Sequence, residues 1–303
     1  MRASTTSPSR RTDVTPFWPI YIEPLLRTLA PDRILQIGAG DGELSGRLLA
    51  HCGRSGSRLD IVDPRAAGDL EARLGAGAAV HRVQPWKAVP LGEAADLVLI
   101  DGEPNWWAVF SILSAMRRLA AERGRSFPVV LAHHVAWPYG RRDMYPNPDA
   151  VAETHPFAYL GVDPDRPDLV EDGLNSRFAH ANHQGGPRNG VLTALEDFAA
   201  SAPLEVELWA LPLLSGLGIL APASRMTPEL RTMIDDFSSP ETSALAVEAA
   251  SAEAARLATR LAEAETRLAR RTAALERARA LIARQEVDIL ALRQQLAGQA
   301  KAG

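Results

Sequence analysis

The sequence predicts an α/β fold in which the strands of a mostly parallel sheet alternate with helices. An apolar strand at 34–37 runs into the glycine-spaced loop Gly38-Ala39-Gly40-Asp41-Gly42, and a helical pattern follows at 43–51. A second short apolar strand at 59–62 ends in an acid, Asp63. Strand and helix patterns continue to alternate up to residue 220, as crossover connections between parallel strands require.

Length and composition fit one large domain with an appendage. A chain of 303 residues with 46% hydrophobic content can bury the core of a domain of about 230 residues. The net charge of −4 argues against a nucleic-acid partner. We expect no transmembrane segment and a cytoplasmic location, because the sequence has neither an 18-residue apolar run nor a hydrophobic signal core. The single cysteine, Cys52, cannot form an internal disulfide, which fits a reducing compartment.

The glycine loop after the first strand is a candidate ligand site. Gly38, Gly40 and Gly42 lack a Cβ atom, so a ligand can lie against the main chain there. Their G-x-G-x-G spacing differs from the G-x-G-x-x-G of dinucleotide folds, and Asp41 would repel a diphosphate but tolerate a cationic ligand. Asp63 ends the second strand, where a carboxylate accepts hydrogen bonds from ribose hydroxyls in sheets of this kind.

Seven strands are predicted for the sheet. They are 34–37, 59–62, 80–83, 97–100, 129–132, 204–211 and 216–220. A short turn that contains Gly216 joins the last two strands, which are therefore predicted to be antiparallel. Ligands of such sheets bind at the carboxyl ends of the strands, so the residues that follow each strand are candidates for a site.

Polar and aromatic residues follow the third and fourth strands. Gln84 is placed to pair with a nucleobase and Trp86 to stack on it, although a tryptophan among apolar residues is as often part of a core. Asp101 and Glu103 come directly after the fourth strand. These acids are predicted to lie at the mouth of the same ligand pocket.

Two histidines, His133 and His134, follow the fifth strand. Because they lie opposite Asp101 on the neighbouring strand, they suit a metal site or a general base. The alternative is a pair of histidines that hydrogen bonds hold to a loop, with no chemical role.

A long insertion at 133–190 interrupts the alternation of strands and helices. It is rich in Pro, Asp, Arg, Asn and aromatic residues, and a segment of this length is predicted to bind substrate. Aromatic rings beside arginine and asparagine donors are typical of a sugar-binding cleft. The candidate substrate-binding residues are Trp137, Tyr139, Arg141, Arg142, Asp143, Tyr145, Arg188 and Asn189.

These motifs resemble those of class I S-adenosylmethionine (SAM) dependent methyltransferases. The glycine loop is similar to their first motif, and the segments 137–145 and 185–194 look like a branch related to metal-dependent O-methyltransferases that modify sugars on macrolides and polysaccharides. The resemblance covers residues 16–222 and implies a Rossmann-like fold of seven strands in the order 3-2-1-4-5-7-6. It implies SAM as methyl donor and a carbohydrate or glycosylated small molecule as acceptor. The implied cofactor-binding residues are Gly38, Gly40, Asp41, Gly42, Asp63, Gln84, Trp86 and Asp101.

The resemblance also implies an acid cluster that holds Mg²⁺ and a histidine that acts as base. The candidate metal ligands are Asp101, Glu103 and His134. The candidate catalytic residues are His133, His134 and Asp101.

Three positions depart from the pattern of that branch. Gln36 stands where a Glu is usual, Pro104 where a His is usual, and His134 where an Asp is usual. The missing carboxylate at 134 disfavours Mg²⁺, which prefers oxygen ligands. A softer divalent ion, or a histidine base without metal, are the alternatives.

Beyond residue 222 the composition changes to Ala, Glu, Arg and Leu. A linker with a short helix is predicted at 223–243, and from Val247 to Leu296 one aliphatic position recurs every seven residues. Arg271 and Gln285 interrupt its companion position. The heptad pattern predicts a coiled coil at 244–303, which associates through 244–297 with further copies of the chain or with another coiled-coil protein.

At the opposite end, residues 1–15 are predicted to be a disordered tail. Three functions remain open from the sequence. The first is a SAM-dependent O-methyltransferase that acts on a sugar, polysaccharide or glycosylated metabolite. The second is a catalytically impaired homologue that acts as a scaffold in glycan assembly. The third is a methyltransferase of small hydroxyl compounds that are not sugars.

Overall fold

A computed structural model of the chain describes residues 14–88, 95–201 and 205–299. The chain divides into two units, Met1–Ala250 and Ser251–Gly303. The described helices are α1 (Glu23–Leu29), α2 (Glu43–Ser55), α3 (Leu70–Leu74), α4 (Trp106–Glu122), α5 (Val191–Ala200), α6 (Pro228–Asp236) and α7 (Pro240–Gln299). The described strands are β1 (Arg33–Ile37), β2 (Arg58–Val62), β3 (Ala78–His81), β4 (Leu97–Ile100), β5 (Val129–His133), β6 (Met144–Tyr145), β7 (Phe157–Ala158), β8 (Gly161–Asp163), β9 (Arg166–Val170), β10 (Ala179–Ala181), β11 (Val206–Leu211) and β12 (Leu217–Pro222).

Seven strands of the first unit form one sheet, in the order β3-β2-β1-β4-β5-β12-β11. The strands from β3 to β5 are parallel, whereas β12 is antiparallel to both of its neighbours. When only the strands of this sheet are numbered along the chain, the order is 3-2-1-4-5-7-6, the order that the family resemblance implies. The carboxyl ends of the parallel strands therefore meet at one edge.

Helices cover both faces of this sheet, because its central strands are apolar on both sides. Ile34 and Leu97 pack in one core cluster with residues of α1, α2 and α6. The next residues along the same strands, Leu35 and Val98, pack in a second cluster with residues of α4 and α5. Successive side chains of a strand point to opposite faces, so each short strand supports two cores.

The insertion between β5 and α5 contains strands of its own. Strands β6, β10 and β7 form a three-stranded sheet, and β8 pairs with β9 in an antiparallel hairpin. The segment that the sequence marks as a binding loop is thus built as two small sheets.

Some predicted boundaries need correction. The third strand runs over Ala78–His81 rather than 80–83, and the last over Leu217–Pro222 rather than 216–220. Of the predicted tail, residues 1–13 lie outside the described residues, but Val14 is buried in the core and is not part of a tail. The predicted start of the sixth strand, Leu204, also lies outside the described residues.

In the predicted linker, a 3-10 turn at Ala223–Arg225 precedes α6, and α7 begins at Pro240. Ala246 of α7 is still buried with the first core cluster, so the end of the first unit includes the opening turns of this helix. From Val247 to Leu292, the large aliphatic side chains of α7 are exposed. Within the described part of the chain, no helix has the length and apolar character needed to cross a membrane.

Candidate functional site

The site is built around a close approach between the loop after β1 and the end of β4. Gly38 has φ +91°, and a Cβ atom placed on it would lie 2.1 Å from the carbonyl oxygen of Asp101. The amide of Asp101 in turn donates to the carbonyl of Ile37 at 2.8 Å. Only glycine fits this contact, which explains the first glycine of the loop.

Asp63 at the end of β2 closes the same loop. Its Oδ2 accepts a hydrogen bond from the amide of Ala39 at 2.9 Å, and its Oδ1 accepts one from the amide of Arg65 at 2.7 Å. The carboxylate is buried. A carboxylate oxygen can accept more than one hydrogen bond, so Asp63 holds the loop and keeps acceptor capacity for a ligand.

Gln36 supports the loop from below. Its amide nitrogen donates to the carbonyl of Gly38 at 2.8 Å, and its amide oxygen accepts from the hydroxyl of Ser45 at 2.9 Å. A glutamate at this position has no donor for the Gly38 carbonyl. Glutamine stands at residue 36 in place of the usual glutamate, and Ser45 of α2 satisfies the oxygen of its amide.

The remaining loop residues differ in their surroundings. Gly40 has φ +55° and no atom within 4 Å of its Cβ position, so this side of the loop is open. At Gly42, with φ +90°, a Cβ would lie 2.8 Å from a methyl group of Leu70. The exposed carboxylate of Asp41 accepts a hydrogen bond at 2.9 Å from the amide of Glu43, the first residue of α2.

A small cavity lies at this edge of the sheet, between the ends of β1, β2 and β4. It has a volume of about 10 Å³, room for roughly one water molecule. Among its lining residues are Gly38, Asp63, Pro85, Gly102 and Glu103. Gly38, Asp63 and Glu103, which follow three different strands and are all predicted site residues, therefore line one cavity.

The residues after β3 lie beside it. The amide oxygen of Gln84 is buried without a hydrogen-bond partner among the described residues. The ring of Trp86 meets that of Trp107 edge to face, with centroids 5.2 Å apart. An unsatisfied buried acceptor is costly, so Gln84 is suited to receive a ligand donor.

Asp101, His133 and a third residue, Ser215, form a hydrogen-bonded row at the ends of β4 and β5. Nδ1 of His133 lies 2.7 Å from Oδ1 of Asp101, and Nε2 lies 2.5 Å from the hydroxyl oxygen of Ser215. In the tautomer that carries its proton on Nδ1, His133 donates to the carboxylate of Asp101 and accepts the hydroxyl proton of Ser215 at Nε2. Both ring nitrogens of His133 are thus engaged within the protein.

The three members of the row differ in exposure. The side chain of His133 is 1% exposed and that of Asp101 is 18% exposed. Ser215 is buried. The end of the row that solvent or a ligand can reach is the carboxylate of Asp101.

His134 lies against this row. Its backbone is left-handed, with φ +70°, and its ring stacks on that of His133 with centroids 4.0 Å apart. Its Nε2 is 3.6 Å from Oδ1 of Asp101. The left-handed turn folds the second histidine back onto the first, and both are buried.

Asp101, His133 and His134 are also the cluster whose donor atoms could hold a cation, all lying within 4.8 Å of one another. Two imidazoles and one carboxylate do not fit Mg²⁺, which requires oxygen ligands. They would suit a softer transition metal, but such an ion would have to replace the hydrogen bond between Asp101 and His133. Glu103, a candidate ligand from the sequence, is not a member of this cluster.

Two residues of the site are not found by sequence reasoning. Ser215 lies in the turn before β12, and the pairing of Leu217 with His133 brings that turn to the end of β5. The predicted antiparallel last strand was the signal that could have located it. Phe17 packs edge to face on His133, with centroids 5.9 Å apart, from a 3-10 turn near the start of the described chain. No local motif marks Phe17.

Five predicted substrate-binding residues are buried within the insertion and its supports. They are Tyr139, Arg142, Asp143, Tyr145 and Asn189. Arg142 donates to the backbone carbonyls of Ala181 and Pro167. The side-chain oxygen of Asn189 accepts from the amide of Asp143 at 2.7 Å. These side chains have a structural role, and a part in substrate binding stays a prediction.

Asp143 is the centre of this buried network. Its Oδ1 accepts from the amides of Trp106 and Gly190, both at 2.7 Å, and its Oδ2 accepts from the hydroxyl of Tyr145 at 2.8 Å. Burial raises the pKa of the Asp143 carboxyl, and the three donors oppose that shift. Burial, followed by the charge of Asp143, raises the pKa of Tyr145.

The other three candidates reach the surface. Trp137 is 41% exposed and precedes a cis proline. Arg141 forms a two-pronged ion pair with Glu196 of α5, at 2.5 and 2.7 Å. Arg188 lies over the ring of Trp106, 5.2 Å from its centroid. Of the predicted substrate-binding set, these three side chains are at least partly exposed.

No protein-family model matches the sequence, and no curated protein matches it. Among solved structures, it is similar to the S-adenosylhomocysteine (SAH) bound methyltransferase PaMTH1 of Podospora anserina, at 14% identity and a TM-score of 0.42 over 71% of this chain and 80% of that one. An O-methyltransferase from Bacillus cereus in complex with SAH matches at 13% identity and a TM-score of 0.41, over 71% of this chain and 83% of that one. Such values are too low to indicate a function.

Proposed function

We propose that this chain is a SAM-dependent methyltransferase. The observation that carries the proposal is the junction of three strand ends, where the Gly38 loop is tied to Asp63 and lies against Asp101. This junction offers carboxylates to ribose hydroxyls and to a cationic ligand.

The residues around the cavity fit SAM in their chemistry. Asp63 offers acceptors to ribose hydroxyls, and the unpartnered amide oxygen of Gln84 offers one to an exocyclic amine. Glu103 adds a carboxylate beside a sulfonium or ammonium group. When bound, SAM supplies an electrophilic methyl group. The cavity of about 10 Å³ must widen to admit it, and the open side of the loop at Gly40 is where space exists.

We infer transfer to an oxygen, with Asp101 as the proton acceptor. Its carboxylate is the exposed end of the buried row, and His133 fixes one of its oxygens by hydrogen bonding. The other oxygen is then oriented towards an acceptor hydroxyl, as general base catalysis requires. Ser215 in turn fixes the ring of His133. No metal takes part in this arrangement.

The finer proposal is that the acceptor is a carbohydrate or a glycosylated metabolite. Support comes from the exposed ring of Trp137 and the guanidinium groups of Arg141 and Arg188, because aromatic faces and planar donors suit sugar rings and hydroxyls. A small hydroxyl compound that is not a sugar is the competing acceptor, and a panel of acceptors decides between them.

Calorimetric titration with SAM and SAH tests the coarser proposal. Wild-type protein is expected to bind both, and Gln84→Ala is expected to bind each about tenfold more weakly through the loss of one buried hydrogen bond. Thr232→Ala on the outer face of α6 is the matched control and should bind as wild type does. Absence of binding would reject the proposal of an enzyme and favour a catalytically impaired homologue that acts as a scaffold. The small cavity and the packing of Phe17 on His133 also favour that alternative.

Transfer of a labelled methyl group from SAM to a sugar acceptor tests the chemistry. Asp101→Asn is expected to lower the rate at least a hundredfold while SAM still binds. EDTA should leave the wild-type rate unchanged, because any ion at the donor cluster would have to replace the hydrogen bond between Asp101 and His133 on which the proposal depends. A rate that falls with EDTA and returns with a divalent ion would contradict the metal-free arrangement.

A further inference from the structure

The second unit carries a long apolar stripe on α7. The leucines and isoleucines at its heptad positions between residues 257 and 292 are 50–66% exposed. The first of two core positions is held by Leu261, Leu268, Leu275, Ile282 and Ile289. An apolar stripe of this length on one helix is stable in water when a second helix covers it.

We propose that the stripe binds the same stripe of a second copy of this chain, with the two helices antiparallel and centred on Ala273. The proposal is independent of the enzymatic function. The proposal depends on the second core position, which lies four residues before each member of the first position or three residues after it. The side chains at this second position vary in size and charge. This position holds Leu257, Ala264, Arg271, Ala278, Gln285 and Leu292.

A parallel dimer in register is disfavoured by these residues. Each residue of the second core position would meet its own copy, so Arg271 would face a second arginine across the core. Two guanidinium groups placed there repel each other and lose water without a counter-charge. Ala264 and Ala278 would each face an alanine, between layers that hold two large residues, which leaves cavities.

In an antiparallel pair, the second core position of one helix packs against the first core position of the other. With the centre at Ala273, Arg271 lies against the partner's Leu275 and Gln285 against the partner's Leu261. Each polar side chain then shares its layer with one leucine and can extend its head group to the edge of the interface.

The alanines are accommodated by the same pairing. Ala264 lies against the partner's Ile282, and Ala278 against the partner's Leu268. Each of these layers combines one small and one large side chain, so the helices can stay at an even separation along the interface. The irregular second position is thus complementary to the regular first position.

Charges beside the core agree with this register. Arg260 faces the partner's Asp288, and Glu265 faces the partner's Arg279. By two-fold symmetry each ion pair occurs twice. A shift of one heptad would instead bring Glu265 against the partner's Glu286, which is repulsive.

Disulfide cross-linking of the full chain tests the orientation. Ala274 flanks the two-fold axis, so Ala274→Cys is expected to cross-link to its own copy. Ala264 would be 18 residues, about 27 Å, from its own copy along the interface, so Ala264→Cys should not cross-link. The native Cys52 is buried at 4% exposure and is retained in both variants.

The expected results are a dimer in solution, of twice the 32.7 kDa chain mass, and cross-linking of Ala274→Cys alone. Cross-linking of Ala264→Cys alone would establish a parallel pair and overturn the proposal. A monomer by light scattering at 50 µM would overturn it as well and leave another coiled-coil protein as the partner. A trimer would also reject it.

A charge exchange gives an independent test. Asp288→Arg alone is expected to weaken the dimer about tenfold at low salt, because it replaces two attractive pairs by two repulsive ones. Adding Arg260→Asp restores opposite charges in the antiparallel pair and should return the dissociation constant to within about threefold of wild type. In a parallel pair Arg260 would face the partner's Glu265, and Arg260→Asp would set two acids against each other there. A further loss of affinity in the double variant would therefore refute the antiparallel register.

Discussion

Replacement of Asp143 by alanine is the sharpest test of how the insertion is held to the sheet. The variant removes the acceptor for three buried donors, the amides of Trp106 and Gly190 and the hydroxyl of Tyr145. Each buried donor left without a partner costs about 1–3 kcal/mol. Loss of the buried charge recovers part of that cost, since burial alone disfavours the ionised carboxylate.

The net expectation for Asp143→Ala is a loss of about 3 kcal/mol in the free energy of unfolding. Urea unfolding followed by tryptophan fluorescence measures it. Asp143→Asn is the matched control, because its amide oxygen still accepts from both backbone amides, and it should cost only about 1 kcal/mol. An alanine variant within about 1 kcal/mol of wild type would refute this account of the network.

The same variant should loosen the insertion locally, because Asp143 joins it to the first turn of α4 and to the turn before α5. Arg177 is exposed in the insertion and is followed by Phe178, so cleavage with trypsin at this site reports on the loosening. We expect faster cleavage at Arg177 in Asp143→Ala than in Asp143→Asn. Equal cleavage rates would show that Asp143 does not hold the insertion to α4 and α5.

Three further predictions concern stability and the row at the site. Burial lowers the pKa of His180 to about 4, below its unfolded value of about 6.5. Between these two pKa values the unfolded chain binds a proton that the folded chain does not. On the order of 3 kcal/mol of stability that is present above pH 6.5 is therefore lost as the pH falls to 4. His180→Asn should flatten this pH dependence of the free energy of unfolding in urea. Gly38→Ala should lower the free energy of unfolding by at least about 3 kcal/mol and Gly40→Ala by about 1 kcal/mol, because only the first Cβ meets backbone atoms. Ser215→Ala should lower the methyl-transfer kcat about tenfold with SAM affinity unchanged, since it frees the ring of His133; an unchanged kcat would remove Ser215 from the positioning row.

The strands of the sheet, and the antiparallel pairing of the last two, could be predicted because they depend on patterns that are local in sequence, whereas the strand order was implied only by the family resemblance. Apolar runs, the glycine loop and the turn at Gly216 specify the strands and the antiparallel last pair. Strand ends are harder to predict from sequence. Ala78 and Ala79 are not marked by large apolar side chains, so the predicted start of the third strand falls two residues after the observed start of β3. Residue type marks what can be buried, but pairing with neighbours sets where a strand ends.

The role of a polar residue is harder to predict than its presence at a strand end. Asp63 and Asp143 are both buried acids that accept hydrogen bonds from backbone amides, yet Asp63 lines the cavity and Asp143 lies within the insertion. The difference lies in Trp106 and Gly190, whose amides come from segments 37 and 47 residues away. No window of sequence around Asp143 contains that information, so its assignment to substrate binding was not decidable from the motif.

The row of Asp101, His133 and Ser215 has the residue types and order of a hydrolase triad, and exposure decides which chemistry it can support. In a triad the serine must reach the substrate while the carboxylate is buried behind the histidine. Here Ser215 is 3% exposed and lies in the turn packed on β5, whereas the Asp101 side chain is 18% exposed beside the Gly38 loop. The exposures are reversed here, which supports the proposal that the carboxylate, and not the hydroxyl, meets the acceptor. A carboxylate held in this way suits removal of a proton from an acceptor hydroxyl, which is the step that oxygen methylation requires.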